Sequence, residues 1–138
     1  MNRELKEIID RFNEAQETAV NILESVFECP RPVSAMDFTT RCKQELRDKN
    51  YQCGGYKIRP HGIGMEVNVN GIKIDFDFGH NGEINGFDAW RLYNFVNQNN
   101  IKSPLNSEGK IKAAFELAVF NGFIYKGTGM GSNHYVSS

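Results

Sequence analysis

The chain has 138 residues, 40% of them apolar and 12% aromatic, and a formal net charge of −1. That length and composition suit a single domain, residues 1–138, with a substantial core, and exclude a disordered chain. The near-neutral balance excludes the bulk basic field by which nucleic-acid-binding proteins attract their ligand.

The N-terminal segment MNRELKEIID is charged from residue 3 and carries no apolar signal-peptide core. No stretch approaches the ~18 apolar residues of a membrane span. The three cysteines, Cys29, Cys42 and Cys53, match neither a zinc spacing nor a disulfide framework, and read as reduced thiols in a cytoplasmic protein. From residue 2 to 28, Leu5, Ile8, Ile9, Phe12, Ala15, Ala19, Ile22, Leu23, Val26 and Phe27 recur at three- and four-residue spacings, which predicts a long amphipathic helix that Pro30 and Pro32 stop. Ser34 with Asp37 resembles a helix start. Met36, Thr39, Cys42 and Leu46 would line one face of a second helix ending near Asn50.

The segment GYKIRP reads as a strand, and GIGMEVNVNGIKIDFDFG reads as a hairpin. Asn70-Gly71 is a strong hairpin signal, because both central residues of a type I′ turn need positive φ. A two-residue turn there pairs Val69 with Ile72, Val67 with Ile74, Met65 with Phe76 and Ile63 with Phe78, all apolar. The opposite face then sets Asn68 against Lys73, Glu66 against Asp75, and Gly64 against Asp77. Acids directly across a ladder repel, so this face calls for a cation: Lys73, Lys57, Arg59, a metal ion or a basic partner.

Beyond the loop, Phe87, Trp90, Leu92, Tyr93, Phe95 and Val96 mark a third helix, opened by Asn85 or Asp88 and fading at Asn99-Asn100. A fourth helix starts at Asn106 or Ser107, turns Ile111, Ala114, Phe115, Ala118 and Val119 inward, and closes at Asn121-Gly122. FIYK, a glycine-rich tip and HYVS complete a final hairpin. The expected fold is α+β: an antiparallel sheet centred on the hairpin 63–69 and 72–78, packed by about four helices. Its C-terminal helix, helix, hairpin order resembles half a winged helix, but no basic recognition helix accompanies it.

Aligned from Asp77, DFGHNGEINGFD follows part of the calcium-loop pattern, with Asp77, Asn81 and Asp88 as candidate metal ligands. It departs where Gly79 offers no ligand side chain and where Asp88 is shorter than the usual Glu. Any calcium binding should be weak. The alternative is a turn at Asn81-Gly82 leading into a helix capped by Asp88. DFG also occurs in the kinase magnesium site, but the chain is too short for a kinase and has no HRD-type loop. His61, His80 and His134 sit in different elements and would serve catalysis only if folding gathered them.

PHGIGMEV followed by DFDFGHNGEINGFDAWRLYNF resembles a family of small bacterial proteins of unknown function over roughly residues 55–97. By that resemblance His61, Gly62, Gly64, Asp75, Asp77, Gly79, Gly86, Asp88, Trp90 and Arg91 are signature positions. Physically, the glycines would serve turns, Trp90 the core, and Asp77 or Asp88 an internal ion pair with Arg91. Small acidic-faced proteins of this kind are similar to the immunity partners of bacterial antagonistic toxins, as in contact-dependent growth inhibition. That analogy implies a non-enzymatic cytoplasmic protein without cofactor, nucleic acid or membrane, whose partner is a cognate toxin. Glu66, Asp75, Asp77 and Glu83 would face the toxin. The alternative is a metal- or ligand-binding regulatory module using the Asp77–Asp88 loop. A third option is an enzyme with His61, Asp75 and His80 as acid–base groups.

Overall fold

A computed structural model describes residues 3–28, 41, 42, 44–46, 51–61, 64–76, 88–120, 124–126 and 135–137. It has the expected α+β character: helix α1 (Arg3–Phe27), strands β1 (Tyr51–Cys53), β2 (Tyr56–His61), β3 (Gly64–Val69) and β4 (Ile72–Phe76), helices α2 (Ala89–Gln98) and α3 (Glu108–Phe120), then β5 (Ile124–Lys126) and β6 (Tyr135–Ser137). Residues 41, 42 and 44–46 are also helical, with Cys42 and Leu46 buried as the second-helix pattern requires. The start expected for that helix at Ser34 and Asp37 lies outside the described residues. Contacts divide the chain into two compact units, Met1–Glu14 with Asn85–Ser138, and Ala15–Ile84.

Helix α1 runs through both units. Its buried stripe is Leu5, Ile8, Phe12, Gln16, Ala19 and Leu23, joined by Ile9 and Val20. Those spacings of three and four keep one face inward. The expected stripe is inward only in part: Ala15, Ile22, Val26 and Phe27 are half-buried, and Gln16 takes an inward position that was not expected. Apolar identity had favoured alanine, but the helical period selects residue 16.

The second unit contains the meander β1-β2-β3-β4, antiparallel throughout. The central hairpin has the expected register: Val69 opposite Ile72, Val67 opposite Ile74, Met65 opposite Phe76, Asn68 opposite Lys73 and Glu66 opposite Asp75. Asn70 and Gly71 have φ of 53° and 91°, as a type I′ turn requires. Asn68 Oδ1 accepts a 2.9 Å bond from the Gly71 amide and braces the turn. The expected Ile63–Phe78 and Gly64–Asp77 pairs fall outside the described residues. Strand β1 was not foreseen; it turns into β2 through Gly54-Gly55, and the Asn70 amide donates to the Gly55 carbonyl at 2.7 Å. The two hairpin turns are thereby tied together at one end of the sheet. Pro60 sits in β2 beyond the reach of β1, which lies opposite residues 56–58 alone, so its missing N–H breaks no described ladder.

One sheet face carries Ile58, Met65, Val67, Ile74 and Phe76, all buried. The other carries Lys57, Asn68 and Lys73 in one row, then Arg59, Glu66 and Asp75 in the next, with His61 opposite Gly64 beyond them.

In the first unit Phe12 meets Phe95 edge to face, with centroids 5.5 Å apart. Leu92, Val96, Ile111, Phe115 and Ala118 complete the core. Asp88 is the N-cap of α2, its Oδ1 accepting from the Arg91 amide at 2.8 Å. The helix ends at Asn99 with Asn100 left-handed at φ 53°. Bonds from the Asn100 amide to the Asn97 carbonyl and from the Ile101 amide to the Val96 carbonyl make this a Schellman end. Ser107 caps α3, its Oγ accepting from the Lys110 amide. The closing hairpin β5–β6 is present, so the C-terminal order is helix, helix, hairpin. Its likeness to a winged helix rests on that order alone.

Trp90 corrects an expectation. It does not serve the core: the residue is 46% exposed, and its ring lies 6.2 Å from that of Tyr93. The helical period turns Ala89, Leu92, Phe95 and Val96 inward, which carries position 90 out to the surface.

Candidate functional site

The charged row on the polar sheet face follows from register. In a hairpin closed by a two-residue turn, Val69 and Ile72 form a hydrogen-bonded pair, so Glu66 and Asp75 form one of the non-hydrogen-bonded pairs, where side chains come closest. Two carboxylates at that spacing need compensation, and β2 supplies it. Arg59 lies directly opposite Glu66, and its fork reaches both carboxylate oxygens, Nε to Oε1 at 3.1 Å and Nη2 to Oε2 at 3.0 Å. Of the three basic residues the sequence offered, Arg59 has the planar fork that matches a carboxylate in this way.

The Glu66 side chain is only 9% exposed. Burial pushes its carboxyl up, but the Arg59 hydrogen bonds and charge outweigh that, aided by Lys73 and His61, so its pKa lies below the ordinary value. Arg59 is held above its ordinary value by the hydrogen bonds and charge of Glu66 and, more weakly, by Asp75.

His61 completes the cluster. Its Nδ1 lies 3.3 Å from Asp75 Oδ1, although the two residues sit on strands separated by β3. Neighbouring strands are about 4.8 Å apart, so this contact reaches over the middle strand. The β3 residue opposite His61 is Gly64, which places no side chain under the imidazole. The His61 and Asp75 side chains are 53% and 21% exposed. Ligand atoms of His61, Glu66 and Asp75 all lie within 4.8 Å of one another. The arrangement suits anion–cation recognition, proton sharing between imidazole and carboxylate, or a cation held by one nitrogen and two oxygens.

Of the residues expected to face a toxin, Glu66 and Asp75 therefore stand side by side, with Glu66 the more buried. Asp77 and Glu83 lie outside the described residues, as does Asn81 of the candidate calcium loop. Asp88, the third candidate of that loop, has Oδ1 engaged with the Arg91 amide. The Arg91 guanidinium lies over the Phe12 ring, 5.1 Å from its centroid, a cation–π contact. The sequence reading named His61 and Asp75 together, with His80, as an acid–base set; His80 is outside the described residues. What it missed was the choice of Arg59, which depends on the β2–β3 register. A count back from the His61–Gly64 pair would have found it.

Away from the charged row, an open groove of about 290 Å³ is lined by Thr18, Asn21, Ile22, Ser25, Val26 and Tyr56. It brings no ionisable acid or base to bear except the tyrosine hydroxyl. Among the described residues no helix is long and apolar enough to cross a membrane.

No curated protein and no solved structure matches the chain. A family model described as a domain of unknown function, DUF6896, does match it, over residues 5–136. Because that match takes in both units and the whole charged row, the chain belongs to the DUF6896 family.

Proposed function

We propose that this protein is a bacterial immunity protein, which binds a cognate toxin in the cytoplasm and neutralises it by occupation rather than by catalysis. The observation that carries the reading is the polar face of the β1–β4 sheet, where charge is built into three adjacent strands. Lys57, Arg59 and Lys73 alternate there with Glu66 and Asp75. Side chains fixed on strands keep their positions, which favours specificity and fast, steered encounter over raw affinity. The face is charge-patterned rather than uniformly acidic. The partner surface that fits it therefore offers a basic group to Asp75 and acidic groups to Lys57 and Lys73, while Glu66 contributes through its field and by holding Arg59. Asp77 and Glu83 would extend the acidic side.

The test is protection of cells. The genes beside its own are searched for a large secreted protein, the chain is co-expressed with any such product that kills cells, and the complex is measured by titration. Survival with wild type, and loss of survival with Asp75→Lys at unchanged melting temperature, support the reading. Absence of both protection and complex formation contradicts it.

A metal-binding regulatory module is the second reading. The convergence of His61, Glu66 and Asp75 favours it, at a place other than the Asp77–Asp88 loop.

A further inference from the structure

We propose that His61 Nδ1, the Asp75 carboxylate and the Glu66 carboxylate form a binding site for a divalent transition-metal ion of the zinc type. The donor set is one imidazole nitrogen and two carboxylates, all ligand types that zinc accepts, and three protein ligands leave a fourth position to solvent. The spacing fits as well. Metal–ligand bonds of about 2.0–2.2 Å place neighbouring tetrahedral ligands about 3.3–3.6 Å apart. Nδ1 and Oδ1 stand 3.3 Å apart, and all three ligand atoms lie within 4.8 Å of one another.

The fold prepares this geometry without a flexible loop. Glu66 and Asp75 are direct partners across the β3–β4 ladder, and His61 leans toward them over Gly64, where no side chain intervenes. Arg59 does not consume the site. A carboxylate has about four lone-pair positions, and the guanidinium fork takes one on each oxygen. The remainder stay available for a metal, while Arg59 orients Glu66 as hydrogen-bonded neighbours orient ligating carboxylates. The guanidinium charge also weakens attraction for a cation, which sets the site at moderate affinity and selects a metal that values imidazole nitrogen. Magnesium and calcium prefer all-oxygen shells and should be excluded.

This inference stands apart from the toxin-binding reading, because its test uses the chain alone. Metal-free full-length protein is titrated with zinc chloride by calorimetry, and with cobalt chloride by visible absorption. The expected result is one equivalent bound, a cobalt ligand-field band, and a shift of the His61 imidazole resonances at the same equivalence point. Binding should weaken at least tenfold in His61→Gln and in Asp75→Asn. Both side chains are partly exposed, so these variants are expected to keep the wild-type melting temperature without metal. Glu66→Gln also frees Arg59 and is a poorer probe. Absence of zinc binding at millimolar concentration overturns the proposal. So does binding that survives both substitutions, since the ion would then sit on other histidines or on the cysteines.

Discussion

The two faces of the β1–β4 sheet share the same strands and the same register, yet they are held together by different physics. On one, Ile58, Met65, Val67, Ile74 and Phe76 are buried. That face is stabilised by removal of apolar surface from water, which needs volume and shape but no particular partner. On the other, Glu66 is buried beside Asp75, and the arrangement survives because Arg59 meets both oxygens of one acid and His61 lies against the second. The apolar face would tolerate many sequences of similar volume. On the polar face the constraint is concentrated at Glu66, whose buried carboxylate is placed against Arg59. The comparison teaches how one register serves two ends: the apolar face is stabilised by burial, and the charged face by the pairing of particular side chains.

The largest way to break that contrast is to empty the apolar side. Ile58 is fully buried, so Ile58→Ala should cost about 2–5 kcal/mol in a denaturant melt, through lost transfer energy and the cavity left behind. On the charged side, Arg59→Ala should destabilise the fold by less than this, because it strands the buried Glu66 carboxylate. Arg59→Lys should recover only part of this, since an ammonium has no fork to match two oxygens. If the lysine variant matched wild type, the bidentate geometry would be irrelevant.

Away from the sheet, Asp88→Ala should cost about 0.5–2 kcal/mol, as lost N-caps do. Toxin affinity measured on the folded fraction should be unchanged. Loss of binding with intact stability would instead move the partner surface to the start of α2, near the exposed Trp90.

The smallest effect is on acid stability. The folded-state pKa of Glu66 lies below its ordinary value, so its contribution is complete above the ordinary carboxylate range. That contribution is lost as pH falls through the folded value. Urea melts from neutral pH to below about pH 4 should therefore show wild type losing more stability than Glu66→Gln. Equal slopes would show that the buried carboxylate gains nothing from its ionised form.

Much of this was legible from local sequence. Asn70-Gly71 and the alternation around it determine the central hairpin pair by pair, because turn type and side-chain period are both short-range. The helix starts at Asp88 and Ser107, each one of two candidates, and the end of α2 at Asn99-Asn100 were legible for the same reason, whereas the left-handed φ of Asn100 was not foreseen. The need for a cation opposite Glu66 and Asp75 was also visible. Which cation answers it was not, because Arg59 is chosen by the pairing of β2 with β3, and its nearest signal, Gly62-Ile63, resembles strand as much as turn. Trp90 was misplaced for another reason: residue type suggested burial, whereas its angular position on α2 turns it outward. Gln16 is the converse, a polar side chain carried inside by the period of α1. The likeness to immunity proteins came from resemblance and not from any spacing.

The central claim is that the buried Glu66 carboxylate is neutralised within the sheet by Arg59, so that the charged row is a prepared site and not a solvated surface. A double-mutant cycle on Arg59→Ala and Glu66→Ala, read by denaturant melts at neutral pH and moderate salt, tests it most directly. A coupling of about 0.5–3 kcal/mol, as for residues in direct contact, is the expected result. Additivity to within about 0.3–0.5 kcal/mol would contradict it and would leave the charged row as ordinary surface.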